Sequence, residues 1–86
     1  SDFEPRHGLD GIDLLECLSW DEPTFLTHTE GSAIRRIGFE QWRRNVAIAL
    51  GNAESTDTIR EALQTALEDP SELVREHVLW ALAQHH

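Results

Sequence analysis

Apolar residues recur at Ile59, Ala62, Leu63, Ala66 and Leu67, the i, i+3, i+4, i+7, i+8 spacing of a helix with one buried stripe. The same period runs through Trp42, Val46, Ala49 and Leu50, where Val46–Leu50 is apolar on every side and predicts a helix held between neighbours. Gly51-Asn52 stops that helix. Asp69-Pro70-Ser71-Glu72 restarts the chain: Asp69 is placed to cap, Pro70 to open the first turn and Glu72 to follow. A last helix is predicted from about Pro70 to Gln84, with Val74, Val78, Ala81 and Leu82 inward. Upstream the elements are shorter. Asp10 is placed as a cap, with Leu9 and Leu14 at staple spacing, before a helix through about Leu18. Its inward side is Ile12, Leu15 and Leu18, or Leu14, Cys17 and Leu18. Asp21 caps the next helix, with Pro23 in its first turn and Trp20 and Phe25 at staple spacing. That helix ends near His28, since Glu30-Gly31 breaks it. Ser32 caps a turn from Ala33 to Ile37, and Gly38 interrupts it.

Two stretches repeat. Trp42–Gly51 aligns with Val74–Ala83 at an offset of 32 positions, matching Arg43 with Arg75, Val46 with Val78, Ala49 with Ala81 and Leu50 with Leu82. Two helices per period of this length are the mark of an α-solenoid. The pattern Asp-Pro-x-x-x-Val-Arg followed by Ala-Leu resembles the short HEAT-like repeat, which implies that Asp and Arg tie the turns of adjacent repeats. The expected fold is therefore all-α, a HEAT-like fragment of about five to six helices. Residues 1–9 read as a linker or strap, 10–38 as short irregular helices, and 39–86 as the repeat helices of one compact domain.

Charge changes the picture. The net charge is −9, which opposes binding to a phosphate backbone. Yet residues 31–52 carry four arginines and one glutamate, while the flanks on both sides are acidic. There is no lysine. The single cysteine, Cys17, allows no internal disulfide and no cysteine-rich metal site, and points to a reducing cytoplasm. No run is long and apolar enough to span a bilayer. The chain opens Ser-Asp-Phe without a methionine, which reads as a fragment of something longer.

Two blocks are more specific than the repeat. Thr29-Glu30-Gly31-Ser32-Ala33-Ile34-Arg35-Arg36, and Trp42-x-Arg44-Asn45-Val46-Ala47-Ile48-Ala49-Leu50-Gly51-Asn52, are similar to the C-terminal region of the epoxyqueuosine reductase family. So are Asp2-Phe3-x-Pro5-Arg6 and Val74-Arg75-x-His77-Val78-x-Trp80-Ala81-Leu82. The resemblance implies a parent oxidoreductase that uses cobalamin and two [4Fe-4S] clusters to reduce epoxyqueuosine to queuosine in the tRNA wobble position. The cofactor-bearing domains would lie before this region and pack on it. No cluster ligand, metal site or catalytic residue carries over onto this chain, and Cys17 matches no ligand position.

Arg35, Arg36, Arg43 and Arg44 are the candidate tRNA contacts, because the planar guanidinium fork grips phosphate at two points. Their structural alternative is local pairing: Glu40 stands three and four residues before Arg43 and Arg44. Arg43 and Arg75 also occupy the tying position of the repeat. Trp42 and Trp80 read as core, although a base-stacking surface beside the arginines would have to come from Trp42 or Phe39. Asn45 reads as a helix-junction residue. His7, His28, His77, His85 and His86 lack metal-ligand spacing, and terminal His85-His86 is either native or a tag. Cys17 falls on the apolar stripe. The competing reading for the whole chain is a protein-interaction module without RNA contact.

Overall fold

The computed structural model describes residues 11–85, with side chains from Leu14 onward. The predicted 1–9 strap, the Asp10 cap, the Leu9 staple, His7 and His86 lie outside these residues, as does the Ile12 side chain. Five α-helices and one 3₁₀ turn follow in order: α1 (Gly11–Ser19), α2 (Glu22–His28), the turn Ala33–Ile37, α3 (Gly38–Gly51), α4 (Asp57–Ala66) and α5 (Glu72–Gln84). The described residues contain no strand.

The caps explain where helices begin. The Asp21 carboxylate accepts from the Thr24 backbone N–H at 3.0 Å and opens α2. The Ser32 hydroxyl accepts from Ile34 N–H at 3.1 Å and opens the 3₁₀ turn. The Thr56 hydroxyl accepts from Ile59 N–H at 3.1 Å and opens α4. Gly38 has φ 87°, a conformation that a residue with a Cβ rarely adopts, so the chain can leave the 3₁₀ turn and enter α3 there.

The start of α5 corrects the sequence reading. Ser71, not Asp69, is the N-cap, and its hydroxyl accepts from Val74 N–H at 3.2 Å. Asp69 is already engaged. One carboxylate oxygen accepts from Ser71 N–H at 2.8 Å and the other from Arg43 Nε at 2.5 Å. Asp69 therefore builds the turn that presents Ser71, and Pro70 precedes the helix instead of opening it.

Helix α3 is the centre of the molecule, packed on α1, α2, the 3₁₀ turn and α5. It runs parallel to α5. Near their starts the Ser71 hydroxyl donates to a Glu40 carboxylate oxygen, and near their ends Gly51 abuts Trp80 and Ala81. A Cβ at Gly51 would lie 2.4 Å from Trp80 Cζ3 and 3.0 Å from Ala81 Cα, so the absent side chain sets how closely the helices approach. The paired sequence stretches are thus neighbours in space. The molecule is 38 × 30 × 16 Å across its Cα atoms, which is two helices deep along the shortest axis.

The core is one cluster containing Leu14 and Leu18 of α1, Phe25, Trp42, Val46, Ala47, Leu50, Ile59, Leu63, Ala66, Val74, Val78 and Ala81. Leu15 and Cys17 pack against it. Trp42 is 3% exposed, as expected for core, but Trp80 is 41% exposed. Trp80 departs from the reading because α5 turns its Val78 and Ala81 inward, leaving Leu79 and Trp80 on the opposite side.

Candidate nucleic-acid interface

Arg35 and Arg36 sit side by side in the 3₁₀ turn, whose entry is held by the Ser32 cap and whose exit is Gly38. Both are exposed. Neither has an ion pair or side-chain hydrogen bond among the described residues. The short turn carries the two arginines at an exposed corner that packs on α3. Glu30, the acid nearest before them in the chain, makes no bridge to them among the described residues.

Arg43 is used differently. Nε donates to Asp69 Oδ2 at 2.5 Å, while Nη1 donates to the Leu18 carbonyl at 2.6 Å and the Trp20 carbonyl at 3.4 Å. Its guanidinium carbon lies 5.6 Å from the centre of the Phe39 ring. The two side chains of the pair are 12% and 8% exposed, so this cation is withdrawn from any ligand. It ties the end of α1 and the start of α2 to the loop before α5. Arg75 reinforces the same point, donating from Nη1 to the Asp69 carbonyl at 2.6 Å. The two arginines matched in the sequence repeat thus converge on one aspartate.

Arg44 is intermediate. Nη2 donates to Asn45 Oδ1 at 3.1 Å, and Nε is buried without a hydrogen-bond partner. The expected Glu40–Arg43 and Glu40–Arg44 pairs are absent among the described residues, because Glu40 takes the Ser71 hydroxyl and Arg43 takes Asp69. The four candidates therefore do not form one patch. Among the described residues Arg35 and Arg36 have no ion-pair partner, Arg43 is structural, and Arg44 lies partly inside the surface.

The aromatic surface also differs from the expectation. Trp42 is enclosed, tilted against Phe25 at 5.4 Å and stacked on Trp20 at 5.3 Å. The exposed end of that stack is His28, whose ring lies 4.4 Å from Trp20 at an interplanar angle of 17°. Its Nδ1 donates to the Thr24 carbonyl at 3.0 Å, which fixes the ring orientation. His28 ends α2, and the chain reaches the 3₁₀ turn that carries Arg35 and Arg36 through residues 29–32. Sequence reasoning passed over it because histidine was considered there only as a metal ligand.

His85 is a second residue the sequence under-read. It is buried: Nε2 donates to the Leu50 carbonyl at 2.6 Å and Nδ1 lies 2.6 Å from the Ser55 hydroxyl. It closes the C-terminal end of α3, where carbonyls lack helix partners. No group of three or more His, Cys, Asp and Glu gathers to hold a metal ion among the described residues. Cys17, partly buried against the core, has no cysteine beside it, so these residues do not fit an iron–sulfur cluster. No helix among them is long and apolar enough to cross a membrane.

The class defined here is an all-helical scaffold module with an exposed arginine pair on one corner. Over 84 residues, 98% of its length, the chain is 56% identical to the epoxyqueuosine reductase of Pseudomonas aeruginosa, of which the match covers 23%. It is 52% identical over 98% of its length to the epoxyqueuosine reductase of Xanthomonas campestris, and 51% identical over 96% to that of Escherichia coli, covering 24% and 22% of those proteins. The chain is similar throughout to the C-terminal part of these enzymes, and it spans about a quarter of the length of the curated relatives it matches. No family model matches it, and no solved structure does.

Proposed function

We propose that this chain is the C-terminal accessory module of a cytoplasmic epoxyqueuosine reductase, which positions tRNA and packs on the domains that reduce epoxyqueuosine to queuosine. Its helices from residue 39 onward act as HEAT-like hairpins, and residues 10–38 carry the RNA corner. Cobalamin and the [4Fe-4S] clusters belong to the parent's other domains, and no step of the reduction runs through the residues described above. The single observation that carries the RNA reading is the contrast between arginines: Arg43 is consumed by Asp69 and two carbonyls, while Arg35 and Arg36 stand exposed without acceptors among the described residues. Two exposed forks on one corner suit adjacent phosphates. Exposed His28, already one layer of a ring stack, offers a face to an unstacked base.

The test is affinity for a queuosine-type tRNA anticodon arm at two salt concentrations. Binding should weaken with salt, and Arg35→Ala and Arg36→Ala should each flatten the log–log slope by roughly 0.7–0.9. Affinity unchanged by both substitutions, in this chain and in the full-length enzyme, would remove RNA contact from this corner. A second reading, a protein-docking module, is favoured by the exposure of Leu79 and Trp80 at 58% and 41%. That reading has no RNA contact, so the affinity measurement separates the two.

A further inference from the structure

Helix α5 has more apolar sides than its neighbours cover. Val74, Val78 and Ala81 are buried, and Leu79, Trp80 and Ala83 remain exposed on the other side. Trp80 is joined across the parallel helix pair by Ile48 of α3. With Glu76 and His77 they border an open hollow of about 400 Å³. One helical turn before Ile48, on the same side of α3, stands Arg44. Its Nε is buried without a partner while Nη2 is held by Asn45. Nη1 makes no hydrogen bond among the described residues and is not buried, so this face combines an apolar hollow with a charged donor that an incoming acceptor can reach.

We propose that the Ile48–Trp80 hollow and Arg44 form the seat for a segment of the same, longer polypeptide, which inserts an apolar side chain into the hollow and presents a carboxylate or carbonyl oxygen to Arg44. The proposal rests on the reading that this chain is one module of a reductase, and it names the face and the chemistry of the contact. The relatives supply the occupant: about three quarters of each lies outside the matched region. RNA is a poor occupant, because Glu72 and Glu76 are exposed along the same helix and would face its phosphates. A second copy about a two-fold axis would set the same acidic strip against itself. A segment of the parent with an apolar anchor meets neither obstacle.

The experiment joins the N-terminal three quarters of the Pseudomonas aeruginosa relative to these 86 residues, in place of its own matching segment. Hydroxyl-radical labelling of side chains is compared with that of the isolated chain, with Ile37 as the exposed internal reference. Labelling of Leu79 and Trp80 should fall about fivefold in the joined protein, in keeping with burial at the centre of an interface. Leu79→Glu should restore labelling of Trp80 without lowering the melting temperature of the isolated chain, since Leu79 is 58% exposed there. Arg44→Ala should do the same, and Arg44→Lys should restore it only in part. Equal labelling of Leu79 and Trp80 in both proteins overturns the proposal. So does protection that appears in the isolated chain with rising concentration, which assigns the face to a second copy. Protection that appears only on adding the anticodon arm also overturns it and assigns the face to RNA. Loss of RNA binding at Arg35 and Arg36 with the footprint intact would remove the RNA reading and leave the seat standing.

Discussion

Arg43 and Arg35 are the same residue type eight positions apart, and their surroundings give them opposite work. Arg43 has an aspartate and two carbonyls within reach and little water, so removing it strands Asp69 in a partly buried site. Arg43→Ala should destabilise the chain by about 3 kcal/mol in urea unfolding, and Arg43→Lys should recover only part, since an ammonium cannot serve the three acceptors in one plane. Arg35→Ala should change stability by less than about 0.5 kcal/mol, as surface substitutions do. Asp21 gives a pH prediction. The side-chain bond to Thr24, then the backbone bond there, hold its carboxyl below the usual carboxylate range. A carboxyl lowered on folding stabilises the fold above its unfolded pKa, and that contribution is lost as pH falls through the folded value. Acid titration followed by circular dichroism should show α2 loosening below the ordinary aspartate range, and Asp21→Asn should flatten that response while keeping the cap. The tying role of Arg43 could be read in advance from its match to Arg75. The failure of the Glu40 pairs could not, because the competitor for Glu40 is Ser71, 31 residues away, and local spacing says nothing about a partner brought by the fold.

At the scale of elements, periodicity located every helix and missed one boundary. The stripes of α3, α4 and α5 are long enough for apolar spacing alone to locate each helix. The start of α5 moved because Asp69 and Ser71 are both good caps, and only the distant Arg43 decides between them. Ser71→Ala should therefore cost about 1 kcal/mol, the usual loss of a cap. Asp69→Ala should cost more, since it removes the turn and strands Arg43. A lowered midpoint for Ser71→Ala in thermal melts separates this account from one in which Asp69 is the cap and Ser71 can be lost at little cost. The α3–α5 approach gives a second test. Alanine is ordinarily the better helix residue than glycine, by about 1 kcal/mol. At Gly51 the added Cβ would meet the Ala81 backbone as well as the Trp80 ring, so Gly51→Ala should instead destabilise by about 1–3 kcal/mol. Trp80→Ala in the same chain should recover only the ring's share, because Ala81 Cα stays 3.0 Å away.

At the scale of the whole molecule, the −9 charge and the arginine corner oppose each other. The acidic surface repels a polyanion from most directions, and salt screens that repulsion over about 8 Å at physiological strength. If Arg35 and Arg36 grip phosphates as proposed, their contacts should weaken as salt rises while the repulsion is relieved, and the slope for RNA should be shallower than two phosphate contacts alone would give. Charge distribution, visible in the order of residues, marked the basic stretch. It did not separate the two exposed arginines from the two that are engaged, because that division depends on which acceptors the fold carries to each. Reversing exposed Glu61 and Glu68 to lysine tests the balance, since both lie far in sequence from the corner and make no side-chain ion pair among the described residues. The reversed chain should bind the anticodon arm more tightly at low salt and show a steeper slope. If the acids only steer, Arg35→Ala and Arg36→Ala should weaken the reversed chain by the same factor as the original. Should the reversed chain bind RNA without regard to those arginines, the new lysines would have made a landing place of their own, and the corner would not be the surface that positions the RNA. Unchanged affinity at low salt would mean that the acidic flanks do not steer RNA.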